Sequence, residues 1–179
     1  VIGVGLIGSS ILHAAQARGL AGTRVAYDAS PAVRERAQAL GLADVVASTP
    51  EQAVRDADIV ILCVPVGAMG AVAKEIGPHL KQGAIVSDVG SVKGAVLAAL
   101  REHLPENVHV IPGHPVAGTE YSGPDAGFAT LFKNRWSILT PPEDADPAAV
   151  AKLVELWSAM GANVETMTAD HHDLVLAIT

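Results

Sequence analysis

Val1-Ile2-Gly3-Val4-Gly5-Leu6-Ile7-Gly8 opens the chain as a β-branched run that passes through a G-x-G-x-x-G spacing into a stretch of helical composition. The spacing alone has little specificity. Its position, where a strand turns into a helix, gives it meaning: Gly3 permits a tight turn, Gly5 lets a ligand approach the backbone, and Gly8 lets helix and strand pack closely. The helix start at Leu6 and Ile7 then aims free N–H groups and roughly half a positive charge at a pyrophosphate. A second strand is expected to end at Asp28, twenty residues past Gly8. At that spacing a carboxylate reaches the adenosine ribose hydroxyls of a dinucleotide. The combination predicts NAD, because Asp28 repels a 2′-phosphate; Arg34, one helical turn on, keeps NADP possible.

Outward from this stretch, short β-branched runs alternate with alanine-rich segments of helical periodicity, the pattern of a parallel sheet covered by helices. Strands are predicted near Val1–Val4, Arg24–Tyr27, Val45–Ala47, Ile59–Val64, Ile85–Asp88, Val108–Ile111, Ser137–Thr140 and Asn163–Thr166. The best supported helices are Ile7–Arg18, Pro31–Leu40, Pro50–Arg55, Val92–His103 and Pro147–Met160. Several carry proline in the first turn, and Gly19, Gly41 and Gly161 stand just past helix ends as C-caps. Gly113–Gly127 and Thr140–Asp146 read as loops. A further helix is expected from Thr168 to Thr179, with Thr168 or Asp170 as N-cap. It lacks a stop signal, so the chain is expected to continue, and the start at Val1 looks trimmed.

Composition narrows the function classes. The 179 residues are 50% hydrophobic, 17% charged and 3% aromatic, enough apolar material for one aliphatic core and too much for a disordered chain. A net charge of −7 argues against nucleic acid or an anionic membrane as partner. The single cysteine, Cys63, excludes a disulfide framework, and a cytoplasmic setting is expected. No metal-ligand spacing occurs. The apolar run Ala57–Ala73 is broken by Pro65, Gly67 and Gly70, so it reads as a buried strand, a loop and a helix rather than a membrane span.

Chemistry-bearing residues gather at the predicted strand ends. Cys63-Val64-Pro65 closes the fourth strand, where the crevice of such a sheet lies; Cys63 reads as a buried cysteine beside the cofactor. Beyond the fifth strand, Ser87-Asp88-Val89-Gly90-Ser91-Val92-Lys93 places a hydroxyl and an ammonium at the same edge. After the sixth comes Gly113-His114-Pro115-Val116-Ala117-Gly118-Thr119-Glu120. Ser91 and His114 are expected to converge on one substrate.

These segments, with Ile138–Pro141 and Asp170-His171-His172-Asp173, resemble the prephenate and arogenate dehydrogenase family over essentially the whole chain. The His-Pro-Val-Ala-Gly run is the most specific part. The resemblance implies a doubly wound, mostly parallel Rossmann-type α/β domain over residues 1–167. It also implies the start of a C-terminal all-helical dimerisation domain at 168–179, and therefore a homodimer. The implied reaction is NAD(P)-dependent oxidative decarboxylation of prephenate or arogenate. His114 matches the catalytic histidine and Ser91 the serine that hydrogen-bonds the same ring hydroxyl. The chemistry needs a base near neutrality, which suits imidazole. Lys93 either attracts a substrate carboxylate or caps a loop; Glu120 matches an acidic position at the site mouth. His172, before Asp173, reads as a helix-start or packing residue, and Arg135 and Trp136 read first as packing residues and second as substrate contacts. The alternatives are another Rossmann reductase, of the β-hydroxyacid or imine type, and a non-catalytic NAD sensor. The loop carrying His114 argues against both.

Overall fold

The computed structural model describes residues 1–177. The first residues form its hinge of topology. Ile2 bridges Tyr27 on one side and Leu62 on the other, both in parallel. Gly3 N–H donates to Tyr27 O at 2.8 Å, and Cys63 N–H to Ile2 O at 2.7 Å. On the Tyr27 side, β1 (Val25–Ala26) pairs in parallel with β2 (Val45–Val46). On the Leu62 side, β3 (Ile59–Leu62) pairs with β4 (Ile85–Asp88) and β4 with β5 (His109–Val110), again in parallel. The order across the sheet is thus β2, β1, segment 1–4, β3, β4, β5. Strand order reverses beside segment 1–4, which makes the glycine loop the switch point.

A second sheet continues the chain. β6 (Gly113–Pro115) runs antiparallel to β7 (Trp136–Leu139), and β8 (Asn163–Thr166) runs parallel to β7. The fold is the mostly parallel Rossmann-type α/β architecture that the alternation predicts. Its strands are shorter than expected at β1, β2, β3 and β5, the expected strand Val1–Val4 is reduced to the bridges of Ile2, and β6 lies where a loop was expected. Nothing local favours a strand at Gly-His-Pro; β6 exists because Gly113, His114 and Pro115 pair with Leu139, Ile138 and Ser137.

Helices α1 (Leu6–Arg18), α2 (Pro31–Ala39), α3 (Pro50–Val54), α4 (Met69–Ile76), α5 (Gly94–His103), α6 (Pro147–Ala159) and α7 (Ala169–Leu176) cover the sheets. Their starts follow capping chemistry: Ser30 accepts from Val33 N–H, Asp146 from Ala148 and Ala149 N–H, and Thr168 from His171 N–H. The expected helix from Thr168 is α7; its predicted extension to Thr179 ends outside the described residues. Among the described residues no helix is long and apolar enough to cross a membrane.

Alternate residues of the central strands feed two cores. Val60, Leu62 and Val86 pack with Met69, Ile76 and Leu100. Ile61 and Ile85 pack on the opposite face with Ile111, Leu139, Leu153 and Trp157. Strands buried on both faces explain the near-continuous apolar run at β3 and β4. Trp157 meets Phe132 edge-on at 5.1 Å, anchoring α6 over the junction with the second sheet.

Candidate active site

The glycine loop is built by collisions that only glycine avoids. A Cβ on Gly8 would strike the Gly3 carbonyl, and one on Gly3, whose φ is +93°, would strike the Cys63 carbonyl. A Cβ on Gly5 would meet nothing within 4 Å. α1 starts there, at an N-cap with no side-chain hydrogen bond. An open face above an uncapped helix start fits a bound pyrophosphate. Asp28 stands at the rim: Oδ2 accepts from Val4 N–H and Oδ1 from Ser30 N–H, each at 2.9 Å. Arg34 donates to Asp28 O at 2.7 Å and Ala29 O at 3.1 Å, and its guanidinium lies 5.6 Å from the Tyr27 ring centroid. Val64 flanks Gly3, and Pro65 is exposed. Burial pushes the Cys63 thiol up to about 12, so it stays protonated at neutral pH and is no nucleophile.

The carboxyl end of β4 holds a buried clamp. Asp88 and Lys93 are both fully buried and pair at 2.5 Å. Asp88 also accepts from Gly90 N–H at 2.7 Å and Gly113 N–H at 3.1 Å, while Lys93 Nζ donates to Gly113 O at 2.5 Å. Both polar groups of Gly113 are therefore held by one ion pair, which fixes the strand immediately before His114. This corrects the expectation for Lys93. Its charge is compensated inside the protein, so it offers no open cation to a substrate carboxylate; it ties the turn after β4 to Gly113, which is nearer to the loop-capping alternative that the sequence left open. Ser91 lies exposed on the same turn between β4 and α5.

His114, in β6, borders a cavity of about 350 Å³ lined by Pro115, Val116, Ala117, Gly118 and Arg135. Its Nδ1 lies 2.9 Å from His172 Nε2, and His172 Nδ1 lies 2.8 Å from Asp173 Oδ1. Burial first, then His172 and Lys93, lower the His114 pKa to about 4. The imidazole is consequently unprotonated at neutral pH. Asp173 also caps α5, accepting from Lys93 N–H at 2.7 Å and Gly94 N–H at 2.9 Å. Burial acts to raise its pKa, but these donors and His172 outweigh it and hold the carboxyl below the usual range.

The chain after β6 folds back against α1, the helix that follows the glycine loop. Phe128 N–H donates to Ser10 Oγ at 3.1 Å, and Gly127 sits so close to Ser9 that any side chain there would collide. Arg36 of α2 pairs with Asp125 nearby. The cradle and the His114 segment are thereby tied together, while Glu120 stays exposed on the intervening loop. Sequence reading missed the role of His172 and Asp173, which back His114, and ranked packing above a substrate contact for Arg135, which lines the cavity. The Asp-His-His-Asp run was a visible signal for the first two; for Arg135 the signal was only its place at the entry to a strand. Among the described residues no cluster of His, Cys, Asp or Glu could hold a metal ion.

Comparison with known proteins identifies the family and the fold. The family model described as "Prephenate dehydrogenase, nucleotide-binding domain" matches residues 12–166. A cyclohexadienyl dehydrogenase of Zymomonas mobilis is 48% identical over 179 residues, all of this chain and 61% of that protein. The crystal structure of prephenate dehydrogenase from Aquifex aeolicus superposes with a TM-score of 0.91 at 32% identity, over 99% of this chain and 64% of that one. The Aquifex enzyme in complex with hydroxyphenyl propionate and NAD+ gives 0.89 at 32% identity, over 97% of this chain and 60% of that one. The chain thus spans about three fifths of the length of these relatives. With the glycine cradle, the His114 strand and a match over most of its residues in one frame, the chain belongs to the prephenate dehydrogenase family and carries its nucleotide-binding domain.

Proposed function

We propose that the protein carrying this chain oxidatively decarboxylates prephenate, arogenate or both, giving 4-hydroxyphenylpyruvate or tyrosine, with NAD+ as acceptor and NADP+ as the alternative. The observation that carries this reading is His114, a neutral imidazole facing a cavity at the carboxyl edge of a dinucleotide-binding sheet. A similar solved enzyme was crystallised with NAD+, and the uncapped start of α1, the space at Gly5 and Asp28 at the rim suit the same cofactor here. Bound there, the nicotinamide supplies the hydride acceptor.

The chain's own residues do the rest. As the carbinol carbon of the substrate loses hydride, its hydroxyl becomes a strongly acidic protonated carbonyl, so even an imidazole with a pKa of about 4 accepts that proton downhill. His114 is this base or hydrogen-bond acceptor. Ser91 hydrogen-bonds the same hydroxyl, Arg135 presents a guanidinium to the substrate carboxylates from the cavity wall, and Glu120 guards the mouth. Residues 1–167 form the cofactor domain, and α7 begins a helical domain through which two copies pair.

Steady-state assays of the full-length protein with both substrates and both cofactors test the reading. His114→Asn should lower kcat by at least ~100-fold, the low end for loss of a general base, while NAD+ affinity changes little. Undiminished turnover in that variant overturns the mechanism.

A further inference from the structure

We propose that His172 is a positioning residue that fixes the tautomer of His114, and that Asp173 fixes His172 in turn. The proposal rests on His114 being the base of the reaction above, but its geometry stands apart from that reading. The Asp173 carboxylate receives N–H donors from Lys93 and Gly94 at the start of α5. It has no hydrogen to give, so His172 Nδ1, 2.8 Å away, must be the donor of that bond. With a single ring hydrogen, on Nδ1, His172 has its lone pair on Nε2. That atom lies 2.9 Å from His114 Nδ1, which must therefore bear the hydrogen. His114 Nε2 is left with the lone pair, the state a base or acceptor requires.

Three observations indicate that this order is built rather than incidental. His172 is fully buried, so water does not compete for its nitrogens. The rings meet edge-on, with centroids 5.1 Å apart and planes at 68°, which points a ring nitrogen of each at the other. An imidazole side chain left to itself prefers the hydrogen on Nε2, the opposite of what His114 needs. The charged groups near His114 are Lys93 and Arg135 on the cationic side and Asp173 on the anionic side. Asp173 is the one joined to it through hydrogen bonds, so its charge also favours the imidazolium that forms when His114 takes a proton. An Asp–His pair performs the same two tasks in serine proteases.

The test uses the full-length protein with 15N-labelled histidine. Two-bond 15N–1H correlation spectra at neutral pH should show both His114 and His172 with hydrogen on Nδ1 and a bare Nε2, assigned by comparison with His114→Asn and His172→Phe. Hydrogen on Nε2 of His114 overturns the proposal, and this measurement needs no variant that folds poorly. In turnover, His172→Phe should lower kcat ~10- to 100-fold, the usual cost of losing an orienting partner, with the Kd for NAD+ unchanged. His172→Gln, whose carbonyl oxygen can accept the same hydrogen, should recover most of that loss. Equal losses in Phe and Gln variants, or no loss in the Phe variant, overturn the positioning role. Full activity of His114→Asn would instead sink the base assignment and leave the tautomer result standing.

Discussion

Lys93 and Asp88 lie five residues apart and are both sealed from water, an arrangement that neither residue type advertises. Burial pushes the Asp88 carboxyl up and the Lys93 ammonium down, against their mutual attraction. Such pairs add little net stability but are costly to break, because the survivor is an uncompensated buried charge. Lys93→Met should therefore destabilise the protein by about 3–5 kcal/mol, read as a lower urea midpoint. An unchanged midpoint would mean that Asp88 finds another partner. At this scale the sequence located a lysine near the site but could not orient it. Direction depended on the Gly113 carbonyl, twenty residues on, which draws the ammonium inward.

Among the elements, α1 was legible almost residue by residue, since the glycine spacing, the helical stretch and Gly19 as C-cap are local features. Its close approach to the preceding strand has one dependence: Gly8 touches the Gly3 carbonyl. Gly8→Ala should shift α1 off the loop, cost about 1–3 kcal/mol as other overpacked sites do, and weaken NAD+ binding in a titration. Retained affinity would show that the cradle tolerates a wider gap. β6 was not legible, because a Gly-His-Pro strand exists only through its pairing with β7. α7 was foreseen as a helix from Thr168, yet its work is done by Asp173 reaching across to α5, a contact between residues eighty positions apart.

Across the whole molecule, acid should be the unfolding condition that the site feels first. Folded His114 has a pKa of about 4 against an ordinary value of 6.5, so between those limits the unfolded chain binds a proton that the folded one does not. Its contribution to stability is complete above pH 6.5 and is lost as pH falls toward 4. Asp173, held below the carboxylate range, adds a loss of the same sign at lower pH. Thermal melts between pH 7 and 4 should show Tm falling with pH, and the slope should shrink in His114→Asn; an equal slope would place the titrating group elsewhere. Sequence alone determined the alternation that makes a Rossmann-type sheet, the cradle with Asp28 at its rim, and the family to which His114 and Ser91 point. The first two rest on local sterics, capping and strand hydrophobicity, which depend on neighbours along the chain, and the third on the resemblance of contiguous motifs. Only the tertiary structure decided that Lys93 faces inward, that Arg135 borders the cavity, and that Asp173 and His172 stand behind His114. The strength and direction of a buried charge or hydrogen bond are set by partners brought together through folding, and sequence distance carries no information about them.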